Sequence, residues 1–273
     1  MTSRIIGGLM LLTTTCSDAQ TVTYLNKVLT LQMPSGTGTR GAAVAWHPDQ
    51  QKYYASFAGN ATYPMGVFNR DGERLSDSYL QTGIDTRGLW YNTHAKELCV
   101  NGYDQTGWAA YTLDRNGIPT GSRKLFDGLH QPEAQSVGLY DKATNEVWFL
   151  FGTDIWTYDP LTGEESFNDL LVKPGITSSG SQGAPAGSNN KSELGDDYNR
   201  YTLINTEISG ASLGLLNVAK RQIELYDEST GYLSQILKLP SSAPSLHSVF
   251  DFSYANSIYW IFDEGSRCWV GFK

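Results

Sequence analysis

Four short apolar runs, each opened by one polar side chain, recur along this chain: Arg40-Gly41-Ala42-Ala43-Val44-Ala45, Arg87-Gly88-Leu89-Trp90-Tyr91, Gln135-Ser136-Val137-Gly138-Leu139 and His247-Ser248-Val249-Phe250. The first three openings stand 47 and 48 residues apart. A repeat of this length is one supersecondary unit that cannot bury its own apolar face, so the units must stack on one another.

Each opening is followed by a second apolar run, at Tyr53 to Phe57, Leu98 to Val100, Val147 to Phe151 and Ile258 to Phe262. A third run ends in a turn: Asn69-Arg70-Asp71-Gly72, Asp114-Arg115-Asn116-Gly117, Asp159-Pro160-Leu161-Thr162-Gly163 and Asp227-Glu228-Ser229-Thr230-Gly231. Asp or Asn followed by Gly supplies the positive φ that tight hairpins need. A fourth run follows each turn, as in Tyr232 to Leu239. Four antiparallel strands repeated at this period describe one blade of a β-propeller.

The step from Gln135 to His247 is 112 residues, two periods and a surplus, so one blade carries an insertion. Counting back from the turn at Gly231 places the fourth opening at Asn199-Arg200-Tyr201, 47 residues before His247, and puts the surplus in the Gly/Ser/Asn-rich stretch 175–197. An alignment on Gln182 competes with it. Arg200 is preferred because Tyr226-Asp227 to Gly231 then matches Tyr158-Asp159 to Gly163. The last repeat stops at Lys273, one strand short, and the alternating pattern Val22 to Gln32 can supply the missing strand. The expectation is an all-β, five-bladed β-propeller, residues 20–273, closed by the N-terminal strand so that no sheet edge is left open.

Residues 1–19 read as an export signal, with Arg4 as n-region, Ile5 to Leu12 as a short apolar h-region and Ser17-Asp18-Ala19 before the cut. Cleavage before a lipid-bearing Cys16 is the alternative. Either way the mature chain is secreted, periplasmic or held at the cell surface. Only Cys99 and Cys268 then remain, each in an apolar run, and no disulfide framework is evident. With 20 Lys+Arg against 28 Asp+Glu the net charge is −8, and no basic run offsets it, so nucleic acid is excluded as a partner. No later stretch is apolar for the 18 or so residues a membrane span needs.

The runs Tyr158-Asp159-Pro160-Leu161-Thr162-Gly163 and Leu213 to Leu239 resemble the degenerate repeats of extracellular bacterial propellers, including the gluconolactonase-like and Tyr-Val-Thr-Asn-type groups. The resemblance implies the fold and does not fix a function. Gluconolactonase-like chemistry would require a divalent cation held by Glu, Asn and Asp oxygens at the inner-strand openings. Arginines at those positions repel a metal, so that chemistry is rejected there.

In a propeller the opening residues of the innermost strands surround the mouth of a central funnel. Here they are Arg40, Arg87, Gln135, Arg200 and His247. Three guanidiniums, an imidazole and an amide suit a carboxylate, sulfate or phosphate, because Arg presents a planar donor fork. The competing reading is that each Arg is a tie between blades, paired with a carboxylate such as Asp85 or Glu133. A glycoside hydrolase would need paired carboxylates, and Asp85, Glu133 and Asp251 lie near but not at the openings. A uronate lyase fits better, with Arg neutralising the carboxylate and His247 or Tyr201 abstracting the α-proton. Trp148, Trp156, Trp260 and Trp269 are read as packing between blades, and His47 of Trp46-His47-Pro48-Asp49 as a turn partner. No phosphate loop, metal-type His/Cys cluster or nucleophile elbow is present, so no cofactor, metal ligand or catalytic residue is assigned. The expected function is a non-catalytic binding propeller for an anionic small molecule or acidic glycan. A polysaccharide-active enzyme or a protein-interaction scaffold is the alternative.

Overall fold

The computed structural model describes residues 21–35, 38–75, 80–166, 169–178 and 193–273. The signal segment, Cys16, Gln182 and most of the expected insertion lie outside them. The described chain forms five sheets, one per repeat and antiparallel but for one added strand, ordered around a central channel. Blade 1 contains β3 (Arg40–His47), β4 (Lys52–Ala58) and β5 (Gly66–Asn69), and blade 2 contains β6 (Thr86–Asn92), β7 (Glu97–Gly102), β8 (Trp108–Leu113) and β9 (Pro119–Phe126). Blade 3 is β10 (Leu139–Asp141), β11 (Glu146–Phe151), β12 (Asp154–Tyr158) and β13 (Glu165–Ser166). Blade 4 is β14 (Ile204–Asn205), β15 (Leu213–Asn217), β16 (Gln222–Tyr226) and β17 (Leu233–Lys238). Blade 5 is β18 (Phe252–Ala255), β19 (Ile258–Asp263) and β20 (Cys268–Phe272).

The five-bladed reading therefore holds, with the fourth inner strand entered just after Arg200. Tyr198 bridges Asn217 of β15, which fixes that register. Two details differ from expectation. In blade 1 the described residues of the fourth run contribute two isolated bridges, Phe68 with Arg74 and Pro64 with Gln81, rather than a strand. The N-terminal strand is also split: β2 (Lys27–Gln32) pairs antiparallel with β20 and completes blade 5, whereas β1 (Thr21–Tyr24) pairs parallel with β17 and adds a fifth strand to blade 4. The break falls at Leu25, which is buried in the core between blades 4 and 5. Burying that one side chain turns the backbone, and the segment before it reaches the neighbouring sheet.

Continuous apolar runs mark strands whose two faces are both covered, here by the blades on either side. All seven residues of β6 and all five of β15 and β16 are buried, while in the outer strand β9 only Pro119 is. The core is accordingly a ring of five clusters, one at each blade interface. Leu89, Val100 and Tyr111 meet Tyr54 and Val67 between blades 1 and 2, and Trp108 meets Phe149 and Tyr158 between blades 2 and 3. Trp148, Trp260 and Trp269 are fully buried in such interfaces, and half-buried Trp156 packs against one. Both cysteines are free and buried. Four hairpin turns share one device. The carboxylate or amide oxygen of Asn69, Asp114, Asp159 or Asp227 accepts a backbone N–H two residues on, and the following Gly72, Gly117, Gly163 or Gly231 takes φ between +70° and +83°.

Candidate functional site

Inner strands run in the same sense around the channel, so their openings share one face. Side chains near this face tie adjacent blades. Asn101 accepts from the amides of Gly88 and Gly138 at 2.8 and 3.0 Å and donates to Gln131 Oε1 and to the Ser136 carbonyl. A Cβ on Gly88 would lie 2.4 Å from the backbone of Gly138, so the two strands touch only because neither residue has a side chain. Between blades 5 and 1, Asp251 Oδ1 accepts from Gly41 N at 2.7 Å and Ser253 Oγ accepts from Val44 N at 3.0 Å.

The segment His247–Asp251 is the hub of this face. Arg40 Nη1 meets Asp251 Oδ2 at 2.8 Å and also pairs with Glu264 Oε1, which stands 3.2 Å from His247 Nε2. Arg200 N donates to the Ser248 carbonyl, and Asn199 donates to the carbonyls of His247 and Phe250. Arg87 lies against the Phe250 ring at 5.0 Å and the Tyr103 ring at 4.6 Å. It also donates to Gln135 Oε1 at 2.7 Å and Asp85 Oδ1 at 2.6 Å. Phe250 and Asp251 both sit at positive φ, +53° and +59°. Two consecutive non-glycine residues in that region are costly and are held here by the surrounding hydrogen bonds.

The five sequence-selected residues thus gather at one place, with different freedom. Arg87 is 4% exposed and paired on every side. Arg40 is part-buried between two carboxylates. Arg200 is exposed, and among the described residues no carboxylate lies within ion-pair distance of it; its guanidinium stands over the Tyr201 ring. Burial, and secondarily Arg40, lowers the His247 pKa, against the opposing pull of Glu264, which keeps the imidazole neutral near pH 7. Burial raises the Asp251 carboxyl to about 6 despite its bonds to Arg40 and Gly41. Glu133 is also raised by burial, opposed by Arg200.

Glu264, Tyr103 and Phe151 are site residues that the openings do not announce. Each stands in or beside the loop joining the second and third strands of its blade. Because strands alternate in direction, that loop returns to the face where the first strand began, and this rule alone would have flagged them. His247, Asp251 and Glu264 bring ligand atoms within 4.8 Å of one another, a set chemically suited to a divalent metal. Arg40 already bridges two of the three, so a cation there would have to displace a guanidinium.

Beside the hub, Arg200 and Tyr201 line a pocket of about 320 Å³ with Glu133, Phe151, Gly152, Glu193, Leu194 and Asp196. It lies between blades 3 and 4. The remaining sequence-selected features are structural: His47 is buried, its Nδ1 accepts from Gln50 N, and its ring stacks on Tyr91 at 4.0 Å.

No known protein family matches the sequence, and no curated protein does. Similarity is found to solved structures. Glutaminyl cyclase from Myxococcus xanthus aligns with a TM-score of 0.55 at 7% identity, covering 93% of this chain and 98% of that one. A protein of unknown function from Bacteroides thetaiotaomicron aligns with a TM-score of 0.51 at 11% identity, covering 91% and 75%. At these identities the likeness extends to the propeller fold and no further.

Proposed function

We propose that this chain is an exported, non-catalytic binding propeller that takes an anionic small molecule or acidic glycan at the face where Arg40, Arg87, Gln135, Arg200 and His247 converge. Export rests on the signal-like pattern of residues 1–19. The observation that carries the binding reading is the inequality among the three arginines. Arg40 and Arg87 are spent on Asp251, Glu264 and Asp85, whereas Arg200 is exposed beside a pocket with its donor fork open among the described residues.

Glu133, Glu193 and Asp196 line the same pocket, and a carboxylate offers only acceptor oxygens. A bare polyanion would be repelled by them. A hydroxylated acid suits both sides, with its carboxylate on Arg200 and its hydroxyls donating to the three carboxylates, which favours a sugar acid over inorganic phosphate. Glutaminyl cyclase shares the fold and is an enzyme, so catalysis is the reading to test against.

Calorimetric titration with galacturonate oligomers and neutral gluco-oligomers separates these readings, using wild type and Arg200→Ala at low and moderate salt. Binding of the acidic series that weakens with salt and drops at least about tenfold in Arg200→Ala, without a change in melting temperature, is the expected result. Absence of acidic-ligand binding, or equal binding by both proteins, overturns the proposal. Accumulation of unsaturated product would convert the binder into a lyase.

A further inference from the structure

The pocket beside Arg200, about 320 Å³, lies at the lower end of the volumes of small-molecule sites and has room for a single sugar unit. A longer glycan held there continues beyond it. Glu133, in the pocket wall, begins a short path across the arginine face. The carbonyl of the next residue, Ala134, accepts from Asp104 N at 3.1 Å, and Tyr103 precedes Asp104 in the chain. Two chain steps and one hydrogen-bonded crossing place the Tyr103 backbone within about 13 Å of Glu133.

Two exposed aromatic side chains stand out among the described residues: Tyr24, on the outer strand β1, and Tyr103, on this face. Tyr103 is 39% exposed, and the Arg87 guanidinium lies over its ring at 4.6 Å. Arg87 is itself buried and bonded to Asp85 and Gln135, so it holds the ring from one side and leaves the other side to solvent. Gln135 adds a donor beside this platform. Its Oε1 accepts from Arg87 Nε at 2.7 Å, which fixes the amide plane. Its Nε2 has no hydrogen-bond partner among the described residues, and it sits on a half-buried side chain with access to solvent. A fixed aromatic face next to a fixed amide donor suits a sugar ring, which offers a C–H face and hydroxyl oxygens.

We infer that Tyr103 and Gln135 form a second subsite, which takes the sugar next to the acidic unit held by Arg200, so that the ligand is an acidic oligosaccharide of at least two units. This rests on the acidic-ligand reading above and adds the length and make-up of the glycan. The C–H face of the second unit lies on Tyr103, and one of its hydroxyls accepts from Gln135 Nε2. Neither contact needs a charge on that unit. Asp85, bonded to the same Arg87, and Asp104, next in the chain, add negative charge near the ring, so the stacked unit is neutral.

The test is calorimetric titration of the protein with galacturonate, with glucuronate and with the disaccharides that join each acid to a neutral hexose. At least one disaccharide should bind at least about fivefold tighter than its own acid. Tyr103→Ala should abolish that gain while the affinity for the acid alone stays within about twofold, which also reports an intact fold. Tyr103→Phe keeps the ring and should keep the gain. Gln135→Glu keeps an acceptor for Arg87 but loses the donor, and should at least halve the gain. Equal affinity for acid and disaccharide in both series, or a gain that survives Tyr103→Ala, overturns the second subsite and leaves the Arg200 pocket standing. Absence of binding by both acids, or binding that Arg200→Ala leaves intact, overturns the acidic-ligand reading and the subsite with it.

Discussion

Arg87→Ala decides whether the most buried opening arginine holds blades or waits for a ligand. The guanidinium makes four hydrogen bonds, to Gln135 Oε1, to both oxygens of Asp85 and to the Thr86 carbonyl, and stands against two aromatic rings. Its side chain is 5% exposed and that of Asp85 is 22% exposed. Removing one partner of a buried pair costs about 3–5 kcal/mol, and the partial exposure of Asp85 favours the lower end. Loss of the two ring contacts adds about 0.5–1 kcal/mol each. The expected destabilisation is about 4 kcal/mol, which for a domain of this size lowers the melting temperature by about 10 °C. Urea unfolding at pH 7 with an unchanged m-value measures it. Arg87→Lys keeps the charge but loses the planar fork, and should recover less than half of the loss. A cycle with Asp85→Asn should show coupling above about 1 kcal/mol. Destabilisation of Arg87→Ala below about 1 kcal/mol, accompanied by lost affinity for an acidic ligand, would refute the assignment of Arg87 as a tie.

Glu224 is fully buried in blade 4 and accepts from Tyr198, Tyr226, Asn217 and Gln222 at 2.6–3.0 Å. Glu224→Leu orphans four donors at about 1–3 kcal/mol each, so a loss of at least about 4 kcal/mol is expected in urea unfolding, and Glu224→Gln should cost clearly less. Asp251 titrates near pH 6 in the folded protein, above the ordinary carboxylate value of about 3.9 in the unfolded chain. Its contribution to stability is therefore fully present below about pH 4, declines as pH rises towards 6 and is lost above that; the two-unit difference corresponds to about 3 kcal/mol. Unfolding free energies from pH 4 to 7.5 should show this decline in wild type and a flatter profile in Asp251→Asn.

Much of the architecture was legible before any coordinates. Repeat period, turn chemistry and strand count are local properties, since an Asp or Asn side chain bonds its own turn and a strand covered on both faces must be apolar throughout. These gave five blades, the turns at Gly72, Gly117, Gly163 and Gly231, the register at Arg200, and the convergence of Arg40, Arg87, Gln135, Arg200 and His247 on one face. The split of the N-terminal strand at Leu25 was not legible, because both halves alternate alike and only the interface between blades 4 and 5 chooses which sheet each joins. The unequal freedom of the three arginines was also hidden. Each opens a repeat in the same way, and only the ring of blades brings Asp251 and Glu264 to Arg40 or lays Tyr103 and Phe250 against Arg87, while leaving Arg200 open. Sequence determined which residues face the axis. Tertiary structure decided which of them already have partners, because charge pairing and burial depend on neighbours far apart along the chain.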